Sequence, residues 1–207
     1  MRVLLLFHVG EAPPHLKLMM DSVRKHLPDY YLVHLTDRET AGLAVDEVIR
    51  RDRGDTPVFV FRTDHFAHCR YNKWLALDTD VLVKHGVEDV WARNFDVALT
   101  TRRKGPCPDT NGVDVTKIYP FNTGVIFSRN RDFWVKCMER MKPPYAQGWY
   151  SDQSAVAAVA ETLQFHVLVL PGDEFNWTPF TEDEQSEARI VHYKGKRKEW
   201  MLRACAS

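Results

Sequence analysis

The amino-acid sequence predicts an α/β fold built on a mostly parallel, doubly wound sheet with helices on both faces. Three observations point there. Short apolar runs alternate with segments of helical period in the order β-α-β-α-β. The chain has 207 residues, 44% hydrophobic and 27% charged, which fits one domain with a core of ordinary size. One central apolar run, Trp74-Leu75-Ala76-Leu77, breaks directly into Asp78-Thr79-Asp80. Sheets of this class bind ligands beyond the carboxyl ends of their strands, and the two acids stand at such an end.

Val3 to Val9 reads as the first buried strand. Its apolar run is short and no small-residue cleavage site follows, which separates it from a signal peptide. After Pro13-Pro14, Leu16, Met19, Met20, Val23 and Leu27 recur at helical spacing, and Pro28 stops the helix. Tyr30 to Leu35 reads as the second strand, ending at Thr36-Asp37. Residues 43–51 read as a short helix closed by Gly54. Val58 to Phe61 is apolar and β-branched enough to read as a strand. A helix over 63–71 then leads into the Trp74 to Leu77 strand.

Phe95 to Thr100 and Gly124 to Phe127 read as further strands. Phe133 to Met141 is helical in pattern and stops at Pro143-Pro144. Ser151 reads as the N-cap of a helix running to Leu163, with Ala155, Val156, Val159 and Ala160 inward. Phe165 to Leu170 and Arg189 to Tyr193 are the last strands. Residues 102–117 hold Arg102, Arg103, Lys104, two prolines and two glycines, the composition of a loop. Loops of that length serve as lids or binding loops, or are plain surface excursions.

Charge and cysteine usage narrow the class. Lys+Arg and Asp+Glu are both 28, so no net charge draws the chain to nucleic acid or an anionic membrane. Cys69, Cys107, Cys137 and Cys205 are scattered without metal-ligand spacing, and read as reduced thiols of a cytoplasmic protein. No stretch approaches the length of a membrane span.

Asp78 and Asp80 carry the chemistry. Two carboxylates where a buried strand meets solvent repel each other and lose hydration, a cost that a divalent cation relieves. Oxygen ligands suit Mg²⁺ or Mn²⁺, which in turn hold phosphates. An isolated Asp-x-Asp is also an ordinary turn. Near the C-terminus stands His192-Tyr193-Lys194-Gly195-Lys196-Arg197-Lys198-Glu199-Trp200. His192 can ligate a metal through a neutral ring nitrogen, Gly195 permits a tight turn, and the lysines offer charge to phosphates. Such a cluster is equally the composition of a solvated face.

Together these segments resemble the family 8 glycosyltransferases, GT-A-fold enzymes that use nucleotide sugars. The resemblance rests on Asp-x-Asp after an apolar strand and on H-x-x-G-x-x-K-x-W near the C-terminus. It extends to Lys73 with Leu75, Leu77 and Asp78, to Asn122-Thr123-Gly124, to Asp152-Gln153, to Pro171 with Asn176, and to Arg62 upstream. The order of these segments is kept over nearly the whole chain. Glu199 stands where the family usually has Pro, and the Phe7 to Glu11 segment lacks its usual base-binding Asp.

The resemblance implies a GT-A-like domain over 1–207, with a donor-nucleotide half at 1–101 and an acceptor half at 102–207. It implies Mn²⁺ or Mg²⁺ on Asp78, Asp80 and His192. A nucleotide-diphosphate sugar, in the first place a UDP-sugar, would be held by Arg62, Lys73, Asp78, Gly195 and Lys198. Catalysis would fall to Asp152, Gln153, Asn122 and Lys198, with retention at the sugar. Tyr193 and Trp200 would pack by the nucleotide or in the core, and Trp149 and Tyr150 would stack on a sugar or fill space. The acceptor hydroxyl, on a glycan, a small molecule, a protein or a modified DNA base, is left open, as is the oligomeric state. Competing readings are a non-catalytic nucleotide-sugar or carbohydrate-binding module, and a nucleotidyltransferase, for which a Gly-rich phosphate loop is lacking.

Overall fold

The computed structural model describes residues 1–102, 114–141 and 150–204. Strand β1 (Arg2–Phe7) leads through α1 (Pro14–His26) to β2 (Tyr30–Thr36) and β3 (Glu47–Arg50). Helix α2 (Val58–Ala67), β4 (Trp74–Leu77) and the short β5 (Val81–Val83) follow. A 3₁₀ turn precedes β6 (Val97–Thr101), and α3 (Val115–Ile118) is a single turn before β7 (Phe121–Ser128). Then come α4 (Arg131–Arg140), α5 (Ser151–Ala160), β8 (Val167–Leu170), the one-turn α6 (Gly172–Phe175), β9 (Ile190–His192) and α7 (Lys198–Ala204).

The main sheet has the order β3-β2-β1-β4-β7-β6-β8. β1 pairs in parallel with β2 and β4, β2 with β3, and β6 with β8; β7 alone runs against its neighbours β4 and β6. Strand alternation sorts the core into two layers. Leu4, Leu6, Leu75, Leu77, Val125 and Phe127 face α1 and its Met19 and Val23. Val3, Leu5, Trp74, Ala76 and Ile126 face Phe66 of α2, Phe133 and Trp134 of α4 and Val156 of α5. Strands buried on both sides are apolar at every position, which is why they are easily seen in the sequence.

Three expectations are corrected. Residues 43–51 hold no helix: Glu47 to Arg50 form edge strand β3 against β2. Tertiary pairing overrides the local pattern there, since Asp46 both accepts from the Leu32 N–H and donates its own N–H to the Leu32 carbonyl. Val58 to Phe61 is no strand but the first turn of α2, entered through Pro57. Short apolar runs have no periodicity that separates strand from buried helix. Ser151 is the first helical residue of α5 rather than its cap, and the helix ends before Leu163, whose φ of 56° is left-handed.

The β5–β9 pairing, a separate two-stranded antiparallel sheet, has no local signature in the sequence. Arg103, Lys104, Cys107, Pro143, Pro144, Trp149 and Cys205 lie outside the described residues. Among the described residues no helix is long and apolar enough to cross a membrane.

Candidate active site

The two acids are set by different strands. Asp78 directly follows β4, and its N–H donates to the Gly124 carbonyl of β7 at 2.9 Å. The Asp80 carbonyl accepts from the Tyr193 N–H at 2.8 Å, and Val81 pairs with His192. The register of this small ribbon therefore carries the imidazole to the acids; a one-residue slip would turn it to the opposite face. His192 Nε2 lies 3.0 Å from Asp80 Oδ1 and 3.7 Å from Asp78 Oδ2. Lys198, the first residue of α7, reaches Asp80 Oδ2 with its ammonium at 3.2 Å. Gly195, at φ 60°, makes the turn that returns the chain to the site.

Ligand atoms of Asp78, Asp80 and His192 all lie within 4.8 Å of one another. Two carboxylates and a ring nitrogen converge on one point, a donor set that suits Mn²⁺ or Mg²⁺. Desolvation pushes the Asp78 carboxyl upward against the pull of Arg62 and His192, and the Asp80 and Asp152 carboxylates add to the push. Burial also raises Asp80, but His192 and Lys198 outweigh it and hold that carboxyl far below the usual range. The residues present thus fit a divalent ion.

A second cluster adjoins the first. Arg62, buried on α2, donates to Asp78 Oδ1 at 2.7 Å, to Thr123 Oγ1 at 2.7 Å, and to Asp152 Oδ2 of α5. The Thr123 hydroxyl donates to the same Asp152 oxygen at 2.9 Å. Burial opposes the guanidinium charge, and the two acids more than offset it. Asp152 Oδ1 is buried and accepts no hydrogen bond from the described residues. Removing one member of such a group leaves an uncompensated charge.

Asn122 sits at the start of β7, where a bulge between Leu99 and Thr100 sets Thr100 opposite it. Bulges beside sites re-aim side chains. Its Oδ1 accepts from the Gly124 N–H at 3.0 Å and from Asn176 Nδ2 at 2.8 Å. Gln153, one residue past Asp152, accepts from Arg102, whose guanidinium lies 5.6 Å from the Tyr150 ring centre. Tyr150 stacks on Tyr119 at 4.7 Å.

Lys73 stands apart. It precedes β4, at the end opposite Asp78, and its ammonium lies 4.7 Å over the Trp91 ring. Tyr193 and Trp200 line a cavity of about 700 Å³ with Trp177 and Leu82. That cavity includes neither the acids nor His192. Thr123 and the orienting contacts of Asn176 were not legible as site features, and Arg102 was legible only as part of a candidate binding loop. Thr123 is the variable middle residue of its motif, and only folding brings Asn176 to His192.

No protein-family model matches the chain, and no curated protein sequence matches it. Solved structures do. The galactosyltransferase LgtC, in complex with donor and acceptor sugar analogues, aligns with TM-score 0.65 at 14% identity, over 99% of this chain and 95% of that one. A glycosyltransferase involved in glycosylation of the major capsid of PBCV-1 aligns with TM-score 0.67 at 14% identity, over 98% of each. GlyE of Streptococcus pneumoniae TIGR4 aligns with TM-score 0.66 at 15% identity, over 97% of this chain, which spans 59% of GlyE. These likenesses establish the fold: the chain has the GT-A-like architecture of glycosyltransferases.

Proposed function

We propose that the chain is a metal-dependent glycosyltransferase that moves a hexosyl or pentosyl group from a nucleotide-diphosphate sugar, a UDP-sugar in the first place, to an acceptor hydroxyl with retention. The observation that carries the reading is the convergence of Asp78, Asp80 and His192, with Lys198 beside them, at a strand end of a glycosyltransferase fold.

Asp78, Asp80 and His192 would hold Mn²⁺ or Mg²⁺, which when bound supplies positive charge to the diphosphate oxygens. In the transfer, the bond from sugar C1 to the diphosphate oxygen breaks, a bond from C1 to the acceptor oxygen forms, and the hydroxyl proton is released. Lys198 leaves Asp80 for the departing diphosphate, where negative charge grows in the transition state. Arg62 holds Asp78 and Asp152 in place, and Asp152 Oδ1, without a hydrogen-bond partner among the described residues, would accept from a sugar hydroxyl. Asn122 and Gln153 would line the sugar and acceptor side. The donor half of the chain, 1–101, thus draws on the other half for His192 and Lys198. The buried thiols of Cys69 and Cys137 fit a reducing cytoplasm.

The test is donor turnover across a panel of nucleotide-diphosphate sugars, with Mn²⁺, with Mg²⁺ and with chelator. Release of nucleotide diphosphate from one donor, lost on chelation and restored by metal, supports the reading. Donor binding without turnover, in the presence of either ion and a range of acceptors, would instead make the chain a binding module.

A further inference from the structure

We infer that Asn176 is the positioning residue of the cation site: it determines which nitrogen of His192 carries the proton and hence which lone pair faces the acids. The inference rests on the metal-dependent reading above. The backbone N–H of Gly124 can only donate, and it donates to Asn122 Oδ1 at 3.0 Å. That atom is therefore the carbonyl oxygen, and the Asn176 atom 2.8 Å from it must be the NH₂. A second lock agrees. The Thr100 hydroxyl spends its proton on the Asn122 carbonyl at 3.0 Å, so it accepts from Asn176 Nδ2, 2.6 Å away.

With its NH₂ committed, Asn176 presents Oδ1 to His192 Nδ1 at 2.8 Å. Only an N–H can stand there. In the neutral ring that a bound cation requires, the proton is thereby held on Nδ1, which leaves the Nε2 lone pair for the cation at the point where Asp80 Oδ1, 3.0 Å away, and Asp78 Oδ2, 3.7 Å away, converge. Thr100, Asn122, Asn176 and His192 are all buried, so water does not compete for these bonds. Gly124 confines the ring from the side: a Cβ there would collide with His192 Cε1 and Nδ1. The relay runs from the β6–β7 bulge through two amides to the imidazole, and it orients the ring before any ligand arrives. Outer partners of this kind typically change metal affinity 10–100-fold when removed.

The experiment titrates Mn²⁺ alone by electron paramagnetic resonance and reads imidazole ¹⁴N coupling to the bound ion from echo modulation. Wild type is expected to show a ¹⁴N coupling that His192→Ala removes. Asn176→Leu should weaken Mn²⁺ about 10–100-fold and lose the coupling. Asn122→Leu, which releases the Asn176 amide, should do the same, whereas Asn122→Asp keeps an acceptor for Gly124 and Asn176 and should stay near wild type. The Asn122 pair carries the test should Asn176→Leu fail to fold. Wild-type affinity and coupling in the folded Leu variants would overturn the inference while leaving the functional reading in place. A wild-type protein that binds no Mn²⁺ would remove both.

Discussion

The rim of the main sheet can be compared at two places, the ends of β1 and β2 and the end of β4 beside β9. Each holds buried histidine, and the two differ in what the ring nitrogens meet. At the first, His34 accepts from the Leu43 N–H at 3.4 Å and donates to the His8 carbonyl at 3.2 Å, so both nitrogens are spent on backbone. Its neighbour His65 packs edge-on against Phe61 at 4.6 Å. Burial first, and nearby positive groups after it, bring each of these rings down to about 4. At the second place His192 is as deeply buried, but one nitrogen is held by an amide and the other faces two carboxylates. Burial therefore does not mark a working histidine. The marker is a nitrogen aimed at two carboxylates that converge with it beyond a strand end.

The sharpest way to break this comparison is Asp80→Asn. It keeps the shape of the site and removes one charge, so metal-dependent donor turnover should vanish while the circular dichroism and thermal transition stay near wild type. Unchanged turnover in that folded variant would reduce the β4 rim to the status of the β1–β2 rim. Next in size, Lys198→Ala should lower kcat by about 10²–10³-fold, the range for losing one preorganised charge partner, with a smaller change in donor affinity. A loss confined to affinity would assign Lys198 to ground-state binding.

The β1–β2 rim makes its own prediction, in stability rather than rate. Above pH 6.5 His34 and His65 are neutral in folded and unfolded chains alike. As the pH falls from 6.5 toward 4 the unfolded chain takes up protons that the folded chain refuses, and stability drops. The loss should reach about 2 kcal/mol for each ring by pH 5. Melting curves between pH 7 and 5 measure it, and His65→Phe should remove its share. A flat profile would mean that these rings charge freely in the fold. The smallest expected effect is at Lys73. Lys73→Met should cost about 0.5–1 kcal/mol from the lost contact with Trp91 and leave donor affinity unchanged. Weaker donor binding would return Lys73 to the donor site.

What could be read in the sequence follows from how local each feature is. Asp78 and Asp80 stand out because an apolar strand ends in charge within three residues, and β1, β2 and β4 because burial on both faces makes them mostly apolar. Val58 to Phe61 misleads for the same reason: an apolar run that short is equally the start of a buried helix, and only α2 as a whole explains why Arg62 points at Asp78 and Asp152. Glu47 to Arg50 becomes a strand only because β2 offers it an edge. His192 carries a motif, but its proximity to Asp80 depends on the three-residue ribbon β5–β9, whose partners are far apart in the chain. Asn176 could be matched to a pattern, yet the direction of its amide is decided by Gly124, Thr100 and Asn122 together, a choice no single segment records.

The pairing of Val81 with His192 also has a bearing on biogenesis. Two of the candidate ligands emerge from the ribosome together, and the third only after β6, β7, β8 and the helices between them have been made. A nascent chain stalled before β9 would display the acids with nothing to complete their coordination. Ion capture would then coincide with the docking of β9 on β5, making the loaded state a built-in certificate that this ribbon has closed.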